Sequence, residues 1–223
     1  MGIAPRDIRA LIISVVYVGA VVAASELLRR ATGKGGEFTR KFVHVGIGLW
    51  IVPTIILFET WYWAALPPAA AVVMNFASLR LRLIKSIERG QTADYGTVLF
   101  PLSFVICIAA FFRTAAPEAA AAGIIVMALG DAAAAIVGRT FGRHPYTFLG
   151  AKKSIEGSAA MLVVSWAAVF GVLVFFRTPS AKAAAVAALL AAVGTALEAA
   201  GRNGLDNLTV PVICSTLAYL ALS

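Results

Sequence analysis

Charge is scarce in this chain. Only 13% of its 223 residues are Asp, Glu, Lys or Arg, and only 11 of those are acidic. No polar stretch is long enough to make a soluble domain, and no low-complexity linker divides the chain. Residues 1–223 therefore read as one integral membrane domain. Cysteine is almost absent. Cys107 and Cys214 both lie inside apolar blocks and read as small buried hydrophobes, which argues against a disulfide framework or a paired-thiolate metal site. The Gly-x-x-x-x-Gly-Lys-Ser/Thr loop of Walker-type nucleotide sites is missing. No RNA- or DNA-binding motif is visible, so nucleic acid is not the expected partner despite the net charge of +8. Nor does a cleavable signal peptide stand out. Ile8–Leu28 is too long for a signal core and lacks a clear cleavage site.

What the chain has instead is hydrophobicity. It is 61% apolar with mean hydropathy +0.89, against about 45–50% apolar residues in ordinary globular chains. The excess falls in blocks near the roughly 20 residues that cross a bilayer as a helix. Eight spans are expected: Ile8–Leu28, Phe42–Phe58, Trp61–Leu79, Gly96–Phe112, Pro117–Gly138, Glu156–Phe176, Ala181–Ala199 and Asn207–Leu222. The second and third are joined through Glu59 and Thr60, and Trp61, Tyr62 and Trp63 read as an interfacial aromatic belt. The last block is short, so seven spans and a re-entrant piece is the alternative. The expected fold class is all-α, a polytopic membrane bundle of about eight transmembrane helices. Alanine runs near 119–135 and 183–192 suit close helix packing.

Lys and Arg set the orientation. The odd-numbered loops carry fourteen of them, and the N-terminus and even-numbered loops carry five. Positive charge is retained inside, so the odd loops are expected in the cytoplasm and both termini outside. With that topology the unusual polar residues share one side: Arg40, Lys41 and His44; Asn75; Asp94; Asp131; the run Lys152, Lys153, Ser154 and Glu156; Glu198; Asp206 and Asn207. A cytoplasmic cleft is expected from segments 40–48, 75–96, 127–158 and 198–211.

Asp131 is the sharpest signal. A carboxylate within a span costs several kcal/mol unless it is paired or wetted, so it marks a functional site by default. Gly130, Ala134 and Gly138 make a small-residue row beside it. That row allows either a packing seam, with Asp131 bridged to a loop arginine, or a metal or nucleotide site. The adjoining loop supplies Arg139, Arg143, Lys152 and Lys153 together with Gly138, Gly142, Gly150 and Gly157. Ser154 falls where the first N–H groups of span 6 are expected to be free, a place for phosphate to dock. A capping box there needs an acid at position 157, which is glycine, so Glu156 is not explained by one. Arg40, Lys41 and His44 share a helix face, and His44 is either an interfacial hydrogen-bonding residue or a general base. Asn207 or Thr209 reads as the N-cap of the last span. Capping does not explain why Glu198 and Asp206 bracket the turn before it.

These pieces carry a resemblance. Arg40-Lys41-x-x-His44, Gly130-Asp131-Ala132-x-Ala134 with Gly138 and Gly142, Lys153-Ser154-x-Glu156-Gly157-Ser158, and Glu198 with Asp206-Asn207-x-Thr209-Val210-Pro211 occur in the order found in the CTP-dependent lipid kinases. The chain resembles that family, which includes dolichol, phytol and farnesol kinases and the yeast-type diacylglycerol kinase. The last motif looks most like the phytol kinase and diacylglycerol kinase branches, and the phytol/polyprenol branch is preferred. The longer His-Gly-Gly and Asp-Arg signature of phosphatidate cytidylyltransferases is not found. The resemblance implies transfer of the γ-phosphoryl of CTP to the hydroxyl of a membrane lipid alcohol. An isoprenoid alcohol such as phytol, geranylgeraniol or a polyprenol is favoured over diacylglycerol. It implies Mg²⁺ or another divalent cation on Asp131 and Glu156, joined by Glu198 or Asp206. It implies CTP held by Arg139, Lys152, Lys153, Ser154, Gly157, Ser158 and Asn207. Arg40 and Lys41 are then expected to meet the transferring group, with His44 or Asp131 as base. The alternatives are cytidylyl transfer to a phospholipid and transport of an anionic metabolite. The second needs an inverted repeat that is not seen in the sequence. The expected location is the plasma membrane, with the cleft facing the cytoplasm.

Overall fold

Every long apolar block of the sequence is a helix in the computed structural model, which describes residues 2–32, 36–81 and 95–223. The helices are α1 (Pro5–Thr32), α2 (Glu37–Leu49), α3 (Ile51–Leu57), α4 (Trp61–Leu81), α5 (Gly96–Phe111), α6 (Glu118–Ile125), α7 (Asp131–Phe141), α8 (Ile155–Phe175), α9 (Ser180–Ala200) and α10 (Asp206–Leu222). Among the described residues, six helical stretches are long and apolar enough to cross a membrane, and α5 and α10 are shorter apolar helices. At 16 and 17 residues these two reach about 24–26 Å at 1.5 Å per residue, somewhat less than the hydrocarbon core. Asp94 and the loop cations Lys34, Arg82, Lys85 and Arg89 lie outside the described residues.

The second span is bent. Pro53 lacks an N–H and its ring crowds the carbonyl four residues earlier, so the helix tightens at Trp50, whose N–H reaches Ile47 O at 3.1 Å. The stretch from Glu118 to Phe141 is one continuous helix whose middle, Val126–Gly130, widens into a π-turn. It is the axis of the bundle. Ala119–Ala122 and Ile124–Ala128 are all buried, which is why that segment is both apolar and small. Gly194 of α9 packs on Val126, and Gly123 packs on Pro211 and Ser215 of α10. Small residues let these backbones meet.

Two contacts at the helix ends fit an alternating arrangement. At one end Arg6 donates to the carbonyls of Ile56 (2.7 Å) and Leu57 (3.1 Å), tying the start of α1 to the α3–α4 turn. Lys182 donates to Leu222 O at 3.2 Å, joining the start of α9 to the end of α10. The opposite end carries the polar residues.

One expectation is corrected here. The stretch from 139 to 158 is not simply a basic loop. It holds a β-hairpin, β1 (Pro145–Phe148) paired antiparallel with β2 (Ala151–Ser154), in the register Pro145 to Ser154 and Tyr146 to Lys153. Leu149 (φ 47) and Gly150 (φ 83) form a two-residue turn with both residues left-handed, the geometry that matches strand twist.

Candidate active site

A cleft of about 560 Å³ opens at the polar end, lined by α2, α7, the hairpin, the start of α8 and the α9–α10 turn. Each wall is built by local sequence. Gly138 and Gly157 let α7 and α8 close on each other: a Cβ on Gly157 would lie 2.9 Å from Ala134 O. The row Gly130, Ala134, Gly138 packs against α8, and Ala134 and Gly138 also line the cleft. Asp131 opens α7 directly after the π-turn. Such a turn inserts a residue and rotates the phase of the helix beyond it.

Asp131 is buried, and its bridge runs to Lys41 of α2 rather than to a loop arginine. The Lys41 ammonium meets Asp131 Oδ2, and His44 Nε2 lies 3.8 Å from the same oxygen. His44 stacks on Phe100 with ring centroids 3.8 Å apart. Its Nε2 is buried without a hydrogen-bond partner. A neutral imidazole carries a proton on one ring nitrogen and a lone pair on the other.

Glu198, on the last turn of α9, pairs with Lys153 of β2. Asp206 opens α10. One carboxylate oxygen from each of Asp131, Glu198 and Asp206 lies within 4.8 Å of the other two. Oxygens on one Mg²⁺ lie at most about 4.2 Å apart, twice the bond length of roughly 2.1 Å. Three converging carboxylate oxygens are the donor type a hard divalent cation takes.

Glu156 does not join this group. It accepts from His144 N at 3.3 Å and pairs with His144 Nδ1 at 2.6 Å. The reason is angular. Ser154 and Gly157 face α7 and the cleft, and a helix turns about 100° per residue, so Glu156 points toward the root of the hairpin.

The other expected residues divide. Arg139, Lys152, Lys153, Ser154, Gly157, Ser158 and Asn207 line the cleft together with Arg40 and Lys41. Ser154, however, caps α8, accepting from Gly157 N at 3.1 Å, and Ile155 N donates to His144 O at 3.0 Å. These amides are engaged, which corrects the expectation that they are free for phosphate. Ser158 Oγ is 2.6 Å from Tyr146 OH, fastening the hairpin to α8. Neither Asn207 nor Thr209 caps α10. Leu205 occupies that position, and Asn207 Nδ2 donates to Gly204 O at 3.3 Å. The backbone bonds Leu205 N to Arg202 O (3.0 Å) and Asn207 N to Gly204 O (3.1 Å) already close that turn. Asn75 donates to Thr97 O at 2.7 Å, joining α4 to α5 away from the cleft lining.

Three residues escaped the sequence reading. Glu37 lies at the cleft mouth, 2.6 Å from Arg40 Nη2 and 3.5 Å from Arg139 Nη2, and its spacing of three from Arg40 was the available signal. Tyr146 carried none. Arg202 packs its guanidinium under the hairpin turn, 3.1 Å from where a Cβ on Gly150 would sit. It carried none either.

Comparison with known proteins identifies the family. Residues 6–200 match the model of the cytidylyltransferase family. The phytol kinase of Synechocystis sp. is 36% identical over 208 residues, covering 91% of this chain and 87% of the relative. No solved structure matches. Arg40 and Lys41, Asp131, Lys153, Ser154, Gly157 and Ser158, and Glu198 with Asp206 come from distant parts of the chain and meet around one cleft. The chain belongs to the CTP-dependent lipid kinases, on their phytol kinase branch.

Proposed function

We propose that this lipid kinase transfers the γ-phosphoryl of CTP to the hydroxyl of an isoprenoid alcohol held in the bilayer, with phytol, geranylgeraniol or a polyprenol as acceptor. The observation that carries this reading is the meeting of three carboxylates with two lysines at the floor of the cleft. Phosphoryl transfer asks for positioning and charge neutralisation, and little covalent work from the protein. Asp131, Glu198 and Asp206 hold Mg²⁺, which neutralises phosphate charge when bound. Lys152, Lys153 and Arg139 bind the CTP phosphates, and Arg40 and Lys41 face the transferring group. Ser154 keeps its hydroxyl proton to donate into the cleft while its oxygen caps α8.

His44 is the base. Its Nε2 takes the hydroxyl proton as the alcohol oxygen attacks the γ-phosphorus, the β–γ bridging P–O bond breaks, and CDP leaves. Phe38 and Phe42 flank this end of α2 and are exposed, so the alcohol's tail remains in lipid while its hydroxyl reaches the polar floor. The basic loops favour a cleft on the cytoplasmic side, where CTP is present. The termini then face outward from the plasma membrane, and the whole chain acts as one membrane domain.

A matrix of nucleotides against alcohols, run with purified protein and Mg²⁺, tests the assignment. The expected result is highest turnover with CTP and a long-chain isoprenoid alcohol. Preference for another nucleotide, or for diacylglycerol as acceptor, would overturn that part of it.

A further inference from the structure

The two lysines at the cleft floor are engaged. Lys41 is on Asp131 and Lys153 is on Glu198, with side-chain exposures of 8%/10% and 23%/4% in the two pairs. Each ammonium comes from a different element than its acid, α2 to α7 and β2 to α9. One oxygen of Asp131 and one of Glu198 therefore already carry an ammonium group. Lys41 and Lys153, two of the cations assigned to phosphate, are likewise held by carboxylates. His44 Nε2, buried and without a partner, faces the same Asp131 oxygen.

We infer that the divalent cation and the nucleotide load this site only together, by exchange of ion-pair partners: carboxylates pass from lysine to metal as the lysines pass from carboxylate to phosphate. The inference rests on the assignment of the acidic trio to the metal and of the lysines to phosphate. Its basis is the cost of a half-exchange. A cation arriving alone must push an ammonium off Asp131 or Glu198 and leave it without a partner in a largely enclosed site. Removing one member of a buried pair is far more costly than exchanging it. Nucleotide arriving alone draws the lysines away and leaves three carboxylates facing its own negative charge. When both arrive, every charged group keeps an opposite partner. The coupling is reciprocal, and couplings of this kind span about 5- to 150-fold in affinity.

Binding of Mn²⁺ to the purified full-length protein in detergent tests this without turnover. Bound Mn²⁺ is read by electron paramagnetic resonance, with and without the β,γ-methylene analogue of CTP. Wild type is expected to bind Mn²⁺ alone weakly and roughly tenfold or more tightly with the analogue. Lys153→Gln frees Glu198, so it is expected to bind Mn²⁺ alone roughly tenfold more tightly than wild type and to gain little from the analogue. Lys153→Arg keeps the pair and is expected to behave like wild type. Equal Mn²⁺ affinity of wild type with and without the analogue overturns the exchange while leaving the metal site standing. That arm needs no variant to fold. Absence of bound Mn²⁺ under all conditions, or binding indifferent to Glu198→Gln, overturns the metal assignment and the exchange with it.

Discussion

Two buried carboxylates sit at opposite ends of this bundle, and their partners differ in kind. Asp7 is fully buried. Its Oδ1 accepts from the backbone N–H groups of Glu59 (2.8 Å) and Thr60 (3.3 Å), and its Oδ2 accepts from Thr60 Oγ1 at 2.6 Å. Those donors are short and fixed, two of them part of the chain itself. Asp131 is answered by the end of a long lysine and faces a cleft. Burial alone therefore does not separate a fastening from a working group. The two sites differ in the length of the partner side chain and in access to open volume.

The difference is best broken at Asp131 first. Asp131→Asn removes the charge and keeps the size. Turnover is expected to fall a hundredfold or more, roughly 3 kcal/mol of transition-state stabilisation, measured at saturating CTP with Mg²⁺ titrated. Glu198→Gln comes next, with a loss of roughly ten- to a hundredfold, about 1.4–2.7 kcal/mol, and a raised Mg²⁺ requirement in the same titration. Asp7→Ala should do the reverse. It strips three donors of their acceptor, and a buried unsatisfied group costs about 1–3 kcal/mol, so the melting temperature in detergent drops while turnover per folded molecule persists. Glu156→Gln sharpens the comparison from the other side. Its partner His144 is largely exposed, so turnover should stay within roughly threefold, the loss expected of one surface pair. A hundredfold loss there would return Glu156 to the metal.

The helices were legible because a bilayer imposes length and hydropathy on the sequence, and the alternation of basic loops came from the same physics. Asp131 was legible because a charge within an apolar block has few structural excuses. The hairpin was not. Its turn is Leu149-Gly150 rather than the Asn-Gly or Asp-Gly pair that announces one, and Leu149 sits left-handed without the usual residue for it. Without the hairpin, the direction of Glu156 could not be read, because Ser154 as cap and His144 as partner both depend on it. Asn207 misled for a related reason. Asparagine beside a turn suggests a cap, but backbone bonds of the Arg202–Asn207 turn already fill that role.

The position of the transferred phosphorus tests the central claim most directly. Purified protein is incubated with Mg²⁺, phytol and CTP labelled either at the γ- or at the α-phosphate, and the lipid product is extracted and counted. Phosphoryl transfer at this cleft predicts label in the lipid from γ-labelled CTP alone, with CDP as the other product. Label entering from the α-phosphate, with release of pyrophosphate, would make the reaction cytidylyl transfer and contradict the account.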